Sequence, residues 1–401
     1  MIRNSNRKQL KKVLSVGIVA CLCYAVSAGI RSNYGIMLTS ISENSELSYS
    51  SVSFTIAIGQ LVFGIMQPLF GIVALRKSNR YVLLLGSILM RIGMFSIPYS
   101  HVAWTLMLTL GILLPAGTGA ISFGIIIGAI TPILGDKKSA TVSGLVNASS
   151  GIGSSTFSIL IKILLSIAGL TKTTKILTVL ILSLFPIILI LHKQVNITEE
   201  TKNTEKQISV KNIFKKAFLN KTFLLLMLGF FTCGFHMAII ETHLYSQLIS
   251  YGINESISAL AFSAYGIATI VGAVISGIVS THIKLKNILA FLYGCRAIIV
   301  IVFLIMPKVP ISIFIFCIML GVTSAATVTP TTGLISKTFG SNKLGILFGF
   351  IFFCHQIGSF ISAWIGGISV EITGGYILIW CLSIGFCIVA SIASFGIKEK
   401  R

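Results

Sequence analysis

The sequence predicts an all-α polytopic membrane protein with twelve transmembrane helices in two pseudo-symmetric six-helix bundles. Of 401 residues, 55% are apolar and only 10% are charged, whereas soluble chains carry roughly 25% charged residues. Apolar runs of about 20 residues are continuous, unlike the alternating strands of membrane β-barrels. A single long charged stretch divides these runs six and six.

Twelve apolar runs are long enough to cross a bilayer. They cover residues 13–39, 50–74, 81–100, 102–130, 139–169, 174–192, 218–248, 255–281, 286–306, 310–335, 343–368 and 374–396. The charged stretch at 193–217 is expected to be a cytoplasmic linker between a first half, 1–192, and a second half, 218–401. We number the spans in chain order.

The two halves carry glycines at matching positions. A shift of 205 residues brings Gly135, Gly144 and Gly153 onto Gly340, Gly349 and Gly358, and a shift of 206 brings Gly71 onto Gly277. Glycines at matched depths are expected where duplicated helices pack closely. Parallel repeats of this kind predict a binding site between the halves and alternating access to it.

The basic residues are unevenly distributed between the two sides of the membrane. With the N-terminus inside, 24 of the 31 Lys and Arg residues fall on the inner side, 3 on the outer side and 4 within spans. The positive-inside rule therefore predicts cytoplasmic termini. Composition and short termini suggest a bacterial inner membrane, with the lipid bilayer as surroundings and the chain acting as a monomer.

Several function classes find no support in the sequence. The net charge of +21 follows the topology and does not indicate nucleic acid. The eight cysteines lie in apolar runs without C-x-x-C spacing, so neither a metal site nor a disulfide framework is expected. No phosphate-binding or zinc-protease motif occurs, so we expect no cofactor and no enzyme activity.

The second span and its loop, AIGQLVFGIMQPLFGIVALRKSNR, resemble the loop signature G-x-L-A-D-R-x-G-R-[KR] of the major facilitator superfamily. Gly71, Arg76 and Arg80 keep this conformational loop motif, while Leu75 replaces its acid. Within that superfamily, AGIRSNYGIML, GFHMAIIETHL and LYGCRAIIVIVFLIMP are similar to the monocarboxylate-porter and oxalate/formate-antiporter-like branch. The resemblance implies the major facilitator fold and transport of small organic anions.

Four cations lie inside predicted spans: Arg31, Arg91, Lys162 and Arg296. A buried cation costs about 2.5 to 3.5 kcal/mol on insertion scales, so each needs a partner or a water-filled cavity. Glu241 is the one acid well inside a span and cannot neutralise all of them. A net positive site attracts an anionic substrate.

Arg31 and His236 are expected to contact this substrate from equal depths, because the 205-residue shift brings one onto the other. Tyr34 lies three residues after Arg31 and could bind the same ligand. A structural ion pair is the alternative for Arg31. For Arg91 and Arg296, which also match each other, bonding to carbonyls at a helix break competes with substrate binding.

Proton coupling is assigned to His236, Glu241 and His243. The two histidines are seven residues apart and should share a helix face, and imidazole changes charge near neutral pH. The alternatives are packing histidines and a Glu241 ion pair with a neighbouring cation. The remaining predicted substrate-binding residues are Gln60, Thr118, Asn147, Arg296, His355 and Gln356. Pro330 is expected to kink the tenth span.

The sequence thus predicts a secondary transporter of a small organic anion, such as a monocarboxylate, driven by protons or by exchange. Two alternatives remain open. One is a transporter of neutral or cationic amphiphiles, such as drugs or nucleosides, on the same fold. The other is a membrane sensor that does not transport.

Overall fold

The computed structural model describes residues 2–134, 136–195, 210–340 and 343–399. It is almost entirely helical, and eleven of the described helical segments are long and apolar enough to cross a membrane. One of them, Gly144–Leu189, contains two predicted spans in succession. They meet at Gly169, whose φ of 67° and ψ of 176° are not helical. The fold is therefore the predicted twelve-span arrangement.

The first half forms six spans with short connections. The first span is Ile2–Arg31 with Tyr34–Ser45, the second is Tyr49–Arg76 and the third is Asn79–Ser96. The fourth span consists of Ala103–Leu106, Met107–Leu113, Leu114–Ala120 and Phe123–Leu134. Asp136–Leu182, in which Gly169 separates the two spans, and Leu184–Val195 form the fifth and sixth spans. A 3₁₀ turn, Ile97–Tyr99, follows the third span. The Met107–Leu113 segment is a π-helix within the fourth span.

The second half repeats the pattern. Its helices are Lys221–Ala238 with the π-helix Ile239–Leu244 and Tyr245–Ser250, Glu255–Val279, Leu285–Ile305, Pro310–Ser324 with the 3₁₀ turn Ala325–Thr327 and Val328–Phe339, Leu344–Thr373, and Ile377–Phe395. A further helix, Val210–Phe218, lies within the predicted linker. Residues 196–209 of that linker lie outside the described residues.

Polar residues fix where several spans begin. The side chain of Ser48 accepts a hydrogen bond from the Ser51 amide, and Ser78 does the same for Tyr81. Asn220 and Asn254 cap the seventh and eighth spans in the same way. Such caps satisfy amides that have no partner within the helix.

Matched glycines have matched surroundings in the two halves. The backbone of Gly153 lies against the Ala25 carbonyl of the first span, and that of Gly358 lies against the Phe231 carbonyl of the seventh. A side chain at either glycine would collide with that carbonyl, so these helices pack backbone to backbone. Ala25 and Phe231 are themselves 206 residues apart, in keeping with the repeat.

Because successive spans run in opposite directions, the ends of the even-numbered spans belong to one side of the protein, which we call the basic face. It includes Arg76, Arg80, Lys284, Lys337 and Lys398. The other end of the protein is the opposite face. Large apolar side chains such as Leu22, Ile167 and Ile305 are exposed along the spans, as expected for lipid contact.

Candidate functional site

Arg31 occupies the end of a helix that breaks in mid-span. The sequence predicted a continuous first span, but the helix stops at Arg31 and restarts at Tyr34. The Asn33 side chain donates to the Gly29 carbonyl at 2.6 Å and to the Ser154 carbonyl at 3.1 Å. The amide thereby joins the broken first span to the fifth, because it satisfies carbonyls on both helices.

Glu241 reaches Arg31 from the other half of the protein. It lies in the π-helix Ile239–Leu244 of the seventh span, a local irregularity that is frequent at functional sites. The Arg31 Nη1 and Glu241 Oε2 atoms are 3.3 Å apart. Gly35 makes this approach possible, because a side chain there would collide with the carbonyls of Glu241 and Thr242.

Two side chains of the second span also contact the Arg31 guanidinium. Gln60 Oε1 accepts a hydrogen bond from Arg31 Nη1 at 3.4 Å, and the Phe63 ring centre is 4.8 Å from the Arg31 Cζ atom. The Arg31 side chain stays 20% exposed and that of Glu241 9%. The pair is therefore largely desolvated but reachable by a small molecule, and of the two outcomes weighed for Glu241 the structure forms the ion pair.

Tyr34 adds an unused donor to this site. Its hydroxyl is buried and has no hydrogen-bond partner among the described residues. Thr118 lies nearby on the fourth span but donates its own hydroxyl to the Pro115 carbonyl at 3.0 Å. A buried hydroxyl without a partner is costly, so Tyr34 is a candidate ligand contact. Arg31, Tyr34, Gln60, Thr118 and Glu241 form what we call the central site.

His236 does not join the central site. Its Nδ1 atom is 2.8 Å from the Ser383 hydroxyl of the twelfth span, and its ring packs against Trp380. The expectation that it faces Arg31 across the symmetry axis is therefore not met. Both His236 and His243 lie beside aromatic rings at the start of the twelfth span, Trp380 and Tyr376 respectively, but they have different hydrogen-bond partners.

His243 instead ties the halves together near the opposite face. Its Nε2 atom donates to the Ala363 carbonyl at 2.9 Å, so Nδ1 accepts the Tyr49 hydroxyl, also at 2.9 Å. Tyr376 donates in turn to the Tyr49 hydroxyl at 3.3 Å. We call Tyr49, His243 and Tyr376 the outer latch, since Tyr49 belongs to the first half and the others to the second.

Arg296 is completely buried within the second half. One Nη atom donates to the carbonyls of Thr323 and Ser324, where the tenth span is interrupted by the Ala325–Thr327 turn. Pro330 has no amide proton for the Ala326 carbonyl, and the Ser276 hydroxyl bonds that carbonyl instead. Arg296 thus acts on a helix break. Arg91, its sequence counterpart, is exposed.

His355 and Gln356 lie on the eleventh span. The His355 ring stacks on Phe352 with an interplanar angle of 5°, and its Nδ1 has no partner among the described residues. Gln356 is buried against Gly64 of the second span, across the two halves, and its Oε1 is likewise unpartnered. Phe352 contacts Phe63, which adjoins Arg31.

Asn147 lines a cavity of about 220 Å³ between the fifth span and the eighth and tenth spans. The loop-motif residues Arg76 and Arg80 are exposed on the basic face. Gly71 has open space where a side chain would project. Lys162, one of the four cations within predicted spans, pairs with Glu255 across the halves at 3.5 Å.

The hydrogen bonds between the halves lie level with Arg31 or toward the opposite face, while glycines toward the basic face, such as Gly144 and Gly349, border open space. Cross-half contacts include Thr39 with Ser246, Ser50 with Glu371, Ser155 with Ser263 and Ser158 with the Ala259 carbonyl. Among the described residues, no hydrogen bond joins the halves on the basic side of Arg31. The sequence did not single out the serines of these contacts or the tyrosines of the outer latch, because isolated serines and interfacial tyrosines are common in membrane helices.

Twelve spans, a mid-depth ion pair between two halves and a cleft that reaches one face define a membrane carrier. Comparison with known proteins agrees. The profile described as Major Facilitator Superfamily matches residues 20–363. The chain belongs to the major facilitator superfamily.

Individual relatives are distant in sequence. The chain is 22% identical over 382 residues to "Uncharacterized MFS-type transporter YcxA" of Bacillus subtilis (strain 168), covering 92% of each. It is 23% identical over 304 residues to "MFS-type transporter 1" of Ophiocordyceps sp. (strain BCC 1869), covering 75% of this chain and 66% of the relative.

Solved structures share the fold at low identity. The D-xylose-proton symporter superposes with a TM-score of 0.77 at 12% identity, covering 96% of this chain and 98% of the other. The nucleoside transporter NupG gives a TM-score of 0.77 at 13% identity, covering 97% of this chain and 100% of the other. The protein is thus an integral membrane transporter of this superfamily, with the twelve-span fold.

Proposed function

We propose that this transporter carries a small organic anion, of the monocarboxylate type, together with one proton. The observation that carries the proposal is the Arg31–Glu241 pair, 3.3 Å long and partly exposed at the boundary between the halves. An arginine fork binds a carboxylate well. A substrate carboxylate would take the place of Glu241 on Arg31, and Tyr34 would donate to it.

The charge balance of the site would couple the binding of the substrate to the binding of a proton. With no substrate, Arg31 and Glu241 neutralise each other. An added carboxylate leaves one uncompensated negative charge, which is costly in a desolvated site. A proton on Glu241 removes that charge, so substrate and proton bind together and the loaded carrier is neutral. Of the three predicted coupling residues, Glu241 has the placement that supports the role best.

The cleft toward the basic face would give the route to one side of the membrane. We take the basic face as cytoplasmic from the positive-inside rule. The chain would act as a monomer in a bacterial inner membrane, without chemical change to its substrate. The short motifs shared with the monocarboxylate and oxalate/formate branch support the anion class.

Glu241→Gln and Arg31→Gln test the proposal in proteoliposomes. The glutamine at 241 imitates a protonated acid, so anion exchange should continue while accumulation driven by a pH gradient is lost. Arg31→Gln should abolish both. Continued pH-driven accumulation by Glu241→Gln would refute the coupling, and normal anion uptake by Arg31→Gln would refute the anion site. Arg91→Gln, exposed and away from the site, serves as the control.

A neutral hydroxylated solute is the second candidate. It is favoured by the formal neutrality of the paired Arg31 and Glu241, and the solved structures of similar fold are a xylose symporter and a nucleoside transporter. In that case a sugar or nucleoside would compete for uptake and acetate or lactate would not.

A further inference from the structure

A cavity of about 220 Å³ lies between the halves on the basic side of the central site. It has room for roughly seven water molecules at about 30 Å³ each. This is less than the 300 Å³ or more of a typical drug-sized pocket. The cavity therefore suits a small ligand, or part of one.

Uncharged polar groups and short apolar side chains line the cavity. Asn147 and Ser150 come from the fifth span, Thr269 from the eighth and Thr329 from the tenth, with Ile270 and Val274 beside them. None of its lining residues is charged. Hydroxyl and amide groups of this kind recognise uncharged hydrogen-bonding ligands.

Two of these polar groups are free to bind a ligand. Ser150 donates to the Asn147 backbone carbonyl and Thr269 donates to the Gly266 carbonyl. Within the described part of the chain, the side chains of Asn147 and Thr329 have no hydrogen-bond partner. The Asn147 amide alone offers two donors and an acceptor.

The cavity is close to the central site along the same helices. Ser154, whose carbonyl holds Asn33 beside Arg31, is four residues from Ser150. That is about 6 Å at the 1.5 Å rise of an α-helix.

A tyrosine of the eighth span bridges the remaining gap. Tyr265 lies within electrostatic reach of Arg31 and Glu241. Its hydroxyl is 2.8 Å from that of Ser324, the neighbour of Ala325 in the cavity wall. Polar groups therefore continue from the ion pair to the cavity.

We propose that the cavity binds the uncharged, hydroxyl-bearing part of the substrate whose carboxylate binds Arg31. The transported class is then a polyhydroxylated monocarboxylate, that is, a sugar acid. This inference rests on the proposed function, because it assumes the carboxylate at Arg31. A plain aliphatic acid would leave Asn147 and Thr329 unpaired, and a second anionic group would meet no cation in the cavity.

Three six-carbon probes separate the two parts of the site. Gluconate has a carboxylate and hydroxyls, hexanoate has the carboxylate alone, and sorbitol has hydroxyls alone. Binding to the purified full chain is measured by calorimetry at constant pH. Gluconate is expected to bind at least about tenfold more tightly than either of the others.

The double variant Thr269→Val with Thr329→Val removes two hydroxyls while keeping the side-chain shape. It should weaken gluconate about tenfold and leave hexanoate within about twofold. Thr332→Val, which removes a threonine hydroxyl of the tenth span that does not line the cavity, is the matched control. Thermal melting of each variant establishes that it folds.

The outcomes separate this inference from the proposed function. Equal weakening of gluconate and hexanoate by the double valine variant, or hexanoate binding as tightly as gluconate, overturns the cavity assignment. Absence of binding by all three probes overturns it too. If Arg31→Gln retains gluconate while the double variant loses it, the anion function fails and the hydroxyl site stands.

Discussion

Tyr49→Phe should open the opposite face. The change removes one oxygen, which donates to His243 Nδ1 at 2.9 Å and accepts from Tyr376 at 3.3 Å. Both bonds connect the halves, so they exist only while this face is closed. His243 is completely buried there, and its Nδ1 would be left without a donor.

An unpaired buried acceptor costs about 1 to 3 kcal/mol. At 1.4 kcal/mol per factor of ten, the ratio of closed to open molecules should fall about 5- to 140-fold. The change is measurable unless closed molecules of the unaltered protein outnumber open ones by far more than this factor.

Spin labels on the opposite face give the assay. Cysteines introduced at Lys172 and Ile372, both exposed and in different halves, report the separation by pulsed electron resonance in a background without native cysteines. Tyr49→Phe should enlarge the long-distance fraction. Tyr99→Phe, an exposed tyrosine on the same face, should leave it unchanged.

An unaltered distance distribution in Tyr49→Phe would refute the reasoning, since the latch would then add nothing to closure. The same change in Tyr99→Phe would point to a general loss of interfacial anchoring.

Three further predictions concern the basic face, the helix break and the C-terminus. Gly349 is exposed, with open space where a side chain would project, and Gly349→Leu should obstruct closure of the basic face, so that substrate binding persists while uptake is lost. Gly385 is likewise exposed and in open space but lies on the twelfth span, so Gly385→Leu should transport normally. Arg296→Met leaves the carbonyls at the break of the tenth span without their donor, and the melting temperature should fall by several degrees, for a loss of about 1 to 3 kcal/mol. Burial by itself would raise the pKa of Glu399, but hydrogen bonds from Lys337 and backbone amides lower it below its ordinary value. Its stabilisation is therefore present at neutral pH and lost as pH falls through the lowered pKa, and Glu399→Gln should flatten the acid side of the melting profile.

The spans could be predicted because a segment that crosses the lipid bilayer has to be mostly apolar. Residues 255–281, for example, form the helix Glu255–Val279, since an apolar run of this length has few other stable states in a membrane. The ion pair was foreseeable for a related reason. Glu241 and Arg31 are each costly alone in a bilayer, so they are natural partners once the spans are packed.

Irregular helices explain what the sequence did not predict. The break after Arg31 and the π-helix at Ile239–Leu244 have no residue pattern that distinguishes them from regular helix. His236 was assigned to the wrong surroundings for a different reason, because the 205-residue shift between the halves placed it opposite Arg31, whereas it bonds Ser383 of the twelfth span. Tyr49 was missed because a tyrosine at a span end is typical of the membrane interface.

The π-helix makes the seventh span unusually sensitive to a change in the number of its residues. A π-turn holds one residue more than an α-turn, so removing one residue from 239–244 would restore ordinary winding in the segment that carries Glu241. The Glu241 carboxylate would then leave its position against Arg31. A one-residue deletion here should harm the carrier more than most substitutions, and relatives with a regular helix at this point should align with a single gap.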